Sequence, residues 1–140
     1  MRLLVAPVLP LAPLAVGPRL LDVGSGNGSP GLVLAILRPD LHVTLLEPRT
    51  KRWAFLREAA RAAGLPTVEV LRARHDGYEG RPATTVTVRA LRLPLEELVP
   101  LVEPGGRLLL LGASRVAVGS WVGEASPPAA SGVQVFRRST

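Results

Sequence analysis

The chain has 140 residues, enough for one domain with a real core, and its 47% hydrophobic content excludes a disordered chain. It contains no cysteine, which excludes a disulfide framework, a cysteine nucleophile and a thiolate zinc site, and two lone histidines, His42 and His75, do not make a metal site. The formal net charge is +6, and every basic residue except Lys51 is an arginine, the side chain suited to bidentate phosphate contacts and to stacking on bases, so a polyanionic partner fits the charge.

Residues 1–18 are apolar and rich in proline, a superficial likeness to a signal peptide. Pro7, Pro10 and Pro13 would break a helical apolar core, and a membrane span would need ~20 continuous apolar residues. The expectation is a short extended or irregular leader lying over the core of a cytoplasmic domain that occupies 19–140. The run Arg19–Val23 then reads as a buried strand ending in an acid, Asp22, and followed by glycines at 24, 26 and 28. Such a turn lets the backbone approach a ligand, because glycine adopts positive φ and has no Cβ. Ser29 is placed to cap a helix over 29–37 with Pro30 in its first turn. A dinucleotide fingerprint would need its third glycine at position 29, where this chain has serine, so the nicotinamide reading weakens. The D-x-G-x-G-x-G pattern resembles motif I of S-adenosylmethionine-dependent methyltransferases; taken alone it is also compatible with a plain structural turn.

His42–Leu46 reads as a second strand with Glu47 at its carboxyl end, where an acid can accept hydrogen bonds from ribose hydroxyls. Thr50 is placed to cap a helix over 51–63, with Gly64 as its stop and Pro66 beyond. Trp53, Leu56, Ala60 and Ala63 share one face of it and read as core. Strands follow at 67–71 and 84–88, separated by a polar loop over 72–82 with little helical signal. A short helix is expected over 94–101, a sharp turn at Pro104-Gly105-Gly106, and a strand buried on both faces at 107–111. The tail is loop-rich, with a final edge strand over 133–137. Five strands alternating with helices predict an α/β fold with a doubly wound, mostly parallel sheet, without repeats or a second domain.

Four segments together resemble the bacterial small-subunit ribosomal RNA guanine-N7 methyltransferases, the RsmG or GidB family. They are 20–36, with Pro30-Gly31 after the glycines; 44–60, with Lys51-Arg52 and Phe55-Leu56; 68–74; and 87–111, with Arg89-Ala90 and Pro104-Gly105-Gly106. The resemblance implies a Rossmann-like domain of the class I methyltransferase type that binds S-adenosyl-L-methionine and methylates a guanine of 16S rRNA, with rRNA or the small ribosomal subunit as partner and neither metal nor membrane. It implies that Gly24, Ser25, Gly26 and Gly28 line the methionine and ribose part of the cofactor. Asp22 would hold that loop or the amino group, Glu47 with Pro48 the ribose side, and Arg74 and Arg89 would face cofactor or RNA. Guanine N7 has a free lone pair and no proton, so the reaction implied needs no general base. The chain departs from the family in having a short glycine-rich segment between strands three and four, and Leu111-Gly112 where a lysine-glycine pair is common. A small-molecule or protein methyltransferase, and a noncatalytic module that binds cofactor or RNA, are the alternative readings.

Overall fold

A computed structural model describes residues 8–89, 92–130 and 132–140. Seven strands form one sheet: β1 (Arg19–Val23), β2 (His42–Leu46), β3 (Val68–Leu71), β4 (Ala83–Arg89), β5 (Val102–Leu111), β6 (Trp121–Glu124) and β7 (Val133–Arg138). Their spatial order is β3-β2-β1-β4-β5-β7-β6. β1 to β5 run parallel, whereas β7 lies antiparallel to β5 and β6 antiparallel to β7. From β1 the chain winds outward through β2 and β3, then returns to add β4 and β5 on the other side. The order therefore reverses beside β1, and the carboxyl ends of β1 and β4 open a crevice there.

The strand residues alternate between two cores, as the two-residue period of a strand requires. Leu20, Val43, Leu45, Leu109 and Leu111 point to one face, covered by helix α1 (Gly31–Leu37) and by Leu56 and Ala60 of helix α2 (Thr50–Ala62). Leu21, Leu46, Val86, Val88, Leu108 and Leu110 point to the other. That second face is covered by a 3-10 helix, Leu95–Leu101, and by Trp121, whose indole N–H donates to the Leu95 carbonyl at 2.9 Å. Leu95, Leu98 and Leu101 are all buried. Their spacing of three matches the three residues per turn of a 3-10 helix, which stacks them on one edge.

The same spacing governs the segment ahead of β1. An extended or irregular lead-in is expected there, but Leu9–Leu14 form a 3-10 helix, with Val8 and Leu11 fully buried against α1. The Arg38 guanidinium holds it down, donating from Nη1 to the Ala12 and Ala15 carbonyls at 2.7 and 2.8 Å. Residues 1–7, with Pro7, lie outside the described residues.

Other boundaries shift for local reasons. Ser29 makes no cap, since Pro30 takes the N-cap position and α1 starts at Gly31. Thr50 is the first residue of α2 rather than its cap, and its hydroxyl accepts from Arg72 instead. The helix closes at Gly64 (φ +65°) as expected, although Ala63 is exposed rather than on the core face. Pro104-Gly105-Gly106 is not a turn before the strand: β5 already begins at Val102. The pairing jumps from Ala83 with Val102 to Thr85 with Arg107, so these residues form a bulge inside the strand. The expected final edge strand is interior, because Trp121–Glu124 adds an outer strand beyond it.

Candidate functional site

The turn after β1 is held from three sides. Ser25 donates its N–H to the Leu46 carbonyl at 2.9 Å, tying the turn to the end of β2. Gly28 donates to the Ser25 carbonyl at 2.8 Å, and its own carbonyl accepts the amides of Leu32 and Val33 in the first turn of α1. Glu47, 2% exposed, grips the turn from β2: one carboxylate oxygen accepts the Gly26 N–H at 3.1 Å and the other the Arg49 N–H at 2.9 Å. Gly24 and Gly26 have φ of +69° and +53°, a conformation that a side chain would strain, and both face open space beyond the strand ends.

Asp22 lies beneath this turn and is 1% exposed. One carboxylate oxygen accepts the Thr87 hydroxyl at 2.6 Å; the other has no hydrogen-bond partner among the described residues. Burial raises the pKa from 3.8 to about 6, opposed by the Thr87 and Ser25 hydroxyls, the nearby Gly31 amide and the charge of Arg89. Because the folded value lies above the unfolded one, the folded state favours the protonated acid. Asp22 therefore costs nothing below about pH 3.8, and its cost grows to about 3 kcal/mol above pH 6. The stability of Asp22→Asn minus that of the wild type should thus rise by up to about 3 kcal/mol from pH 4 to pH 8, read from urea unfolding at each pH. A difference flat across that range would mean that the carboxyl is not raised.

Two adjoining recesses open at the carboxyl ends of β1 to β4, sharing Gly24 and Arg52. The first, about 430 Å³, is lined by Ser25, Gly26, Lys51, Arg52, Phe55 and Arg89. The second, about 440 Å³, has Val23, Pro48, Ala73 and Leu93 as apolar walls, with Glu47, Arg74 and His75 as polar groups. Each is of small-ligand size. Of the residues singled out from sequence, Gly24, Ser25, Gly26 and Arg89 meet in the first recess, and Glu47, Pro48 and Arg74 in the second. Asp22 and Gly28 lie buried below the turn and support it. Arg89 donates to the Ser29 hydroxyl at 3.3 Å, while its neighbour Ala90 lies outside the described residues. Arg74 pairs with Asp76 at 3.5 Å.

Lys51, Arg52, Phe55, His75 and Leu93 were not foreseen as site residues. The first three sit on the first turns of α2, on the side facing the turn after β1, and the Lys51-Arg52 pair was visible in the sequence. Arg49, Lys51, Arg52 and Arg89 form no ion pair among the described residues, so the rim is rich in positive charge, with the Asp22 and Glu47 carboxylates buried behind it. No group of three metal-binding side chains occurs among the described residues.

A parallel sheet whose order reverses at β1, an antiparallel β5–β7–β6 edge, a glycine turn after β1 and an acid after β2 define a class I, Rossmann-like methyltransferase fold. The E. coli protein YhhF shares it with a TM-score of 0.71 at 20% identity, over 93% of this chain and 82% of that one. Coclaurine N-methyltransferase does so with a TM-score of 0.63 at 24% identity, over 71% and 32%. Residues 5–122 match the family model of GidB, rRNA small subunit methyltransferase G, and the chain belongs to that family. It is 54% identical over 101 residues to the ribosomal RNA small subunit methyltransferase G of Nocardioides sp., covering 69% of this chain and 40% of that protein. With the protein of the same name from Salinispora tropica it shares 48% over 114 residues, 72% of this chain and 47% of the relative. The chain thus spans about half the length of the curated relatives it matches.

Proposed function

We propose that this chain binds S-adenosyl-L-methionine in the crevice and serves methyl transfer to N7 of a guanine in 16S rRNA. The observation that carries the reading is the glycine turn clamped by Glu47 at the switch point of a GidB-family domain. The residues present fit the cofactor. Glu47 keeps carboxylate lone pairs for a ribose diol, and Val23, Pro48, Ala73 and Leu93 offer apolar walls to a purine. In the first recess Lys51, Arg52 and Arg89 supply cations for an amino-acid carboxylate beside the Gly24–Gly26 backbone. The cofactor supplies an electrophilic methyl group on a sulfonium.

The protein's part is alignment rather than proton transfer, since guanine N7 gives up no proton. Holding a nucleophile in line can contribute ~7–11 kcal/mol in favourable cases. Arg89 stands at the edge of the first recess and Arg74 at the edge of the second, both placed to hold phosphate or to stack on a base. A single-stranded or loop RNA suits such a site, because A-form duplex hides its major groove. Residues 19–140 constitute the methyltransferase domain in this reading, and its substrate places it in the cytoplasm. Among the described residues no helix is long and apolar enough to cross a membrane.

Calorimetric titration with S-adenosyl-L-methionine and, separately, NAD tests the first step: micromolar binding of the methyl donor alone is expected. Methyl transfer to small subunits and to bare 16S rRNA tests the second. Affinity for RNA should fall roughly 50-fold between 50 and 200 mM salt if about four phosphates are held. Turnover without RNA and a flat salt response would instead mark a small-molecule or protein methyltransferase. Binding without transfer would mark a noncatalytic module.

A further inference from the structure

A groove of about 610 Å³ runs between α2 and β3 and shares no residue with the two recesses of the crevice. β3 is an outer strand of the sheet, paired with β2 alone. The Val43 and Glu47 amides donate to the Thr67 and Leu71 carbonyls at 3.3 and 3.0 Å. Alternate residues of β3 therefore face β2, and the backbone of Val68 and Val70 faces outward. Two of those outward groups are taken. The Val68 amide donates to the Leu65 carbonyl at 3.3 Å, and the Val70 carbonyl accepts the Trp53 indole N–H at 3.2 Å. The Val70 N–H and the Val68 carbonyl have no partner among the described residues, which leaves a donor and an acceptor on an open strand edge.

The side chains beside this edge define what can lie on it. Val68 and Val70, with Ala60, Leu65 and Pro66, give the groove an apolar floor. Arg57 stands at its lip, 4.9 Å over the Trp53 ring, and forms no ion pair among the described residues, whereas Arg61 is paired with Glu58. Stacking on the indole holds the guanidinium where an incoming carboxylate can reach it. An extended peptide matches both features, because its backbone pairs with the edge while alternate side chains enter the groove. A second copy of this chain does not match. Pairing two β3 edges about a twofold axis would set the exposed Glu69 opposite its own copy and join two chains of net charge +6. A phosphodiester backbone lacks the amide and carbonyl that the edge pairs with. We propose that the groove docks an extended acidic segment of a partner protein, which adds a strand to β3 and sets a carboxylate on Arg57.

Nuclear magnetic resonance on the full chain reads the docking at the Val70 amide. The probe is acetyl-Val-Thr-Glu-Thr-Val-amide, which places both valines and the glutamate on one face. It should shift the Val70 amide saturably, with a Kd of about 1 mM or tighter. The same peptide with lysine at its centre should bind at least about fivefold more weakly, and the fully N-methylated peptide should not bind. Arg57→Glu should reverse the preference between the two peptides, which a mere loss of packing would not do. Arg57→Gln should erase it, and keeps the test open if the charge reversal unfolds the protein. An unmoved Val70 amide, a preference that both variants leave in place, or equal binding of the lysine or N-methylated peptide overturns the proposal. So does a Val70 amide that moves with protein concentration alone, the mark of a second copy, or one that responds to oligouridine instead of the peptide, the mark of RNA.

Discussion

Gly26→Arg should lower affinity for S-adenosyl-L-homocysteine at least about 100-fold while the protein stays folded. Gly26 is half-buried on the face of the first recess, and its N–H is the point at which Glu47 grips the turn. A Cβ there would meet nothing closer than Arg52 Nη1 at 3.7 Å and the Gly24 carbonyl at 3.8 Å, so the backbone has room for a substitution. The left-handed φ of +53° costs a larger residue about 1–2 kcal/mol, which lowers the melting temperature by only about 3–7 °C in a domain of this size. An arginine side chain, by contrast, extends into the crevice itself. There it fills the volume between Ser25, Arg52 and Phe55, and it adds a cation within reach of the Glu47 carboxylate, the group proposed for the ribose. Calorimetry and thermal melting on the same sample separate the two effects. A variant that binds within threefold of the wild type would sink the placement of the turn at the cofactor.

The parts of this site that backbone chemistry dictates were legible in the sequence. A strand that must break into a ligand turn needs glycines at positions of positive φ, and Glu47 stands out from an ordinary loop glutamate by following Asp22 at βαβ spacing; both features need only local reading. The sequence leads to an expectation of Glu47 at the ribose; what the structure shows is a clamp on the Gly26 and Arg49 amides. His75 was not legible, because its orientation comes from Glu97 on a different element, and no spacing joins the two. The outer strand Trp121–Glu124 was missed for a similar reason. Only Trp121 in it is buried, Gly123 interrupts it, and its partners come from β7 further along the chain. The bulge in β5 looked like a turn because Pro-Gly-Gly is turn chemistry wherever it stands, and only pairing with β4 shows that the strand continues through it.

The covering helices show a subtler limit. Leucines at 95, 98 and 101 repeat every three residues, as do Val8, Leu11 and Leu14. A spacing of three fits one side of an α-helix over a single turn and a 3-10 helix over two, so short segments do not distinguish them. The prolines decide it. Pro100 and Pro13 lie inside these helices, each removing a donor that a continuing α-helix would use. The result is that one face of the sheet carries two α-helices and the 3-10 helix Leu9–Leu14, while the other is closed by the 3-10 helix Leu95–Leu101 and a tryptophan.

Gly31→Ala is the substitution with the largest expected effect on stability, although it adds one methyl group to a helix. Gly31 starts α1 where that helix crosses β1 and β2, and a Cβ there would fall 2.5 Å from Leu45 Cδ2 and 2.6 Å from Asp22 Cβ, as well as against the unpartnered oxygen of Asp22. Both neighbours are fully buried and held within hydrogen-bonded strands, so neither can swing aside. The expected loss is about 3 kcal/mol, or about 10 °C in melting temperature. Gly64→Ala provides the comparison: it has the strained φ of +65° but nothing within 4 Å, and should cost about 1 kcal/mol. Close packing and backbone strain are thereby measured apart. Combining Gly31→Ala with Asp22→Ala should cost less than the two single losses added, since removing the carboxylate frees part of the space the methyl needs. Strict additivity would mean that α1 moves away as a body instead. In that case the turn would move with it, because the Gly28 carbonyl holds the first amides of α1, and cofactor affinity would fall together with stability.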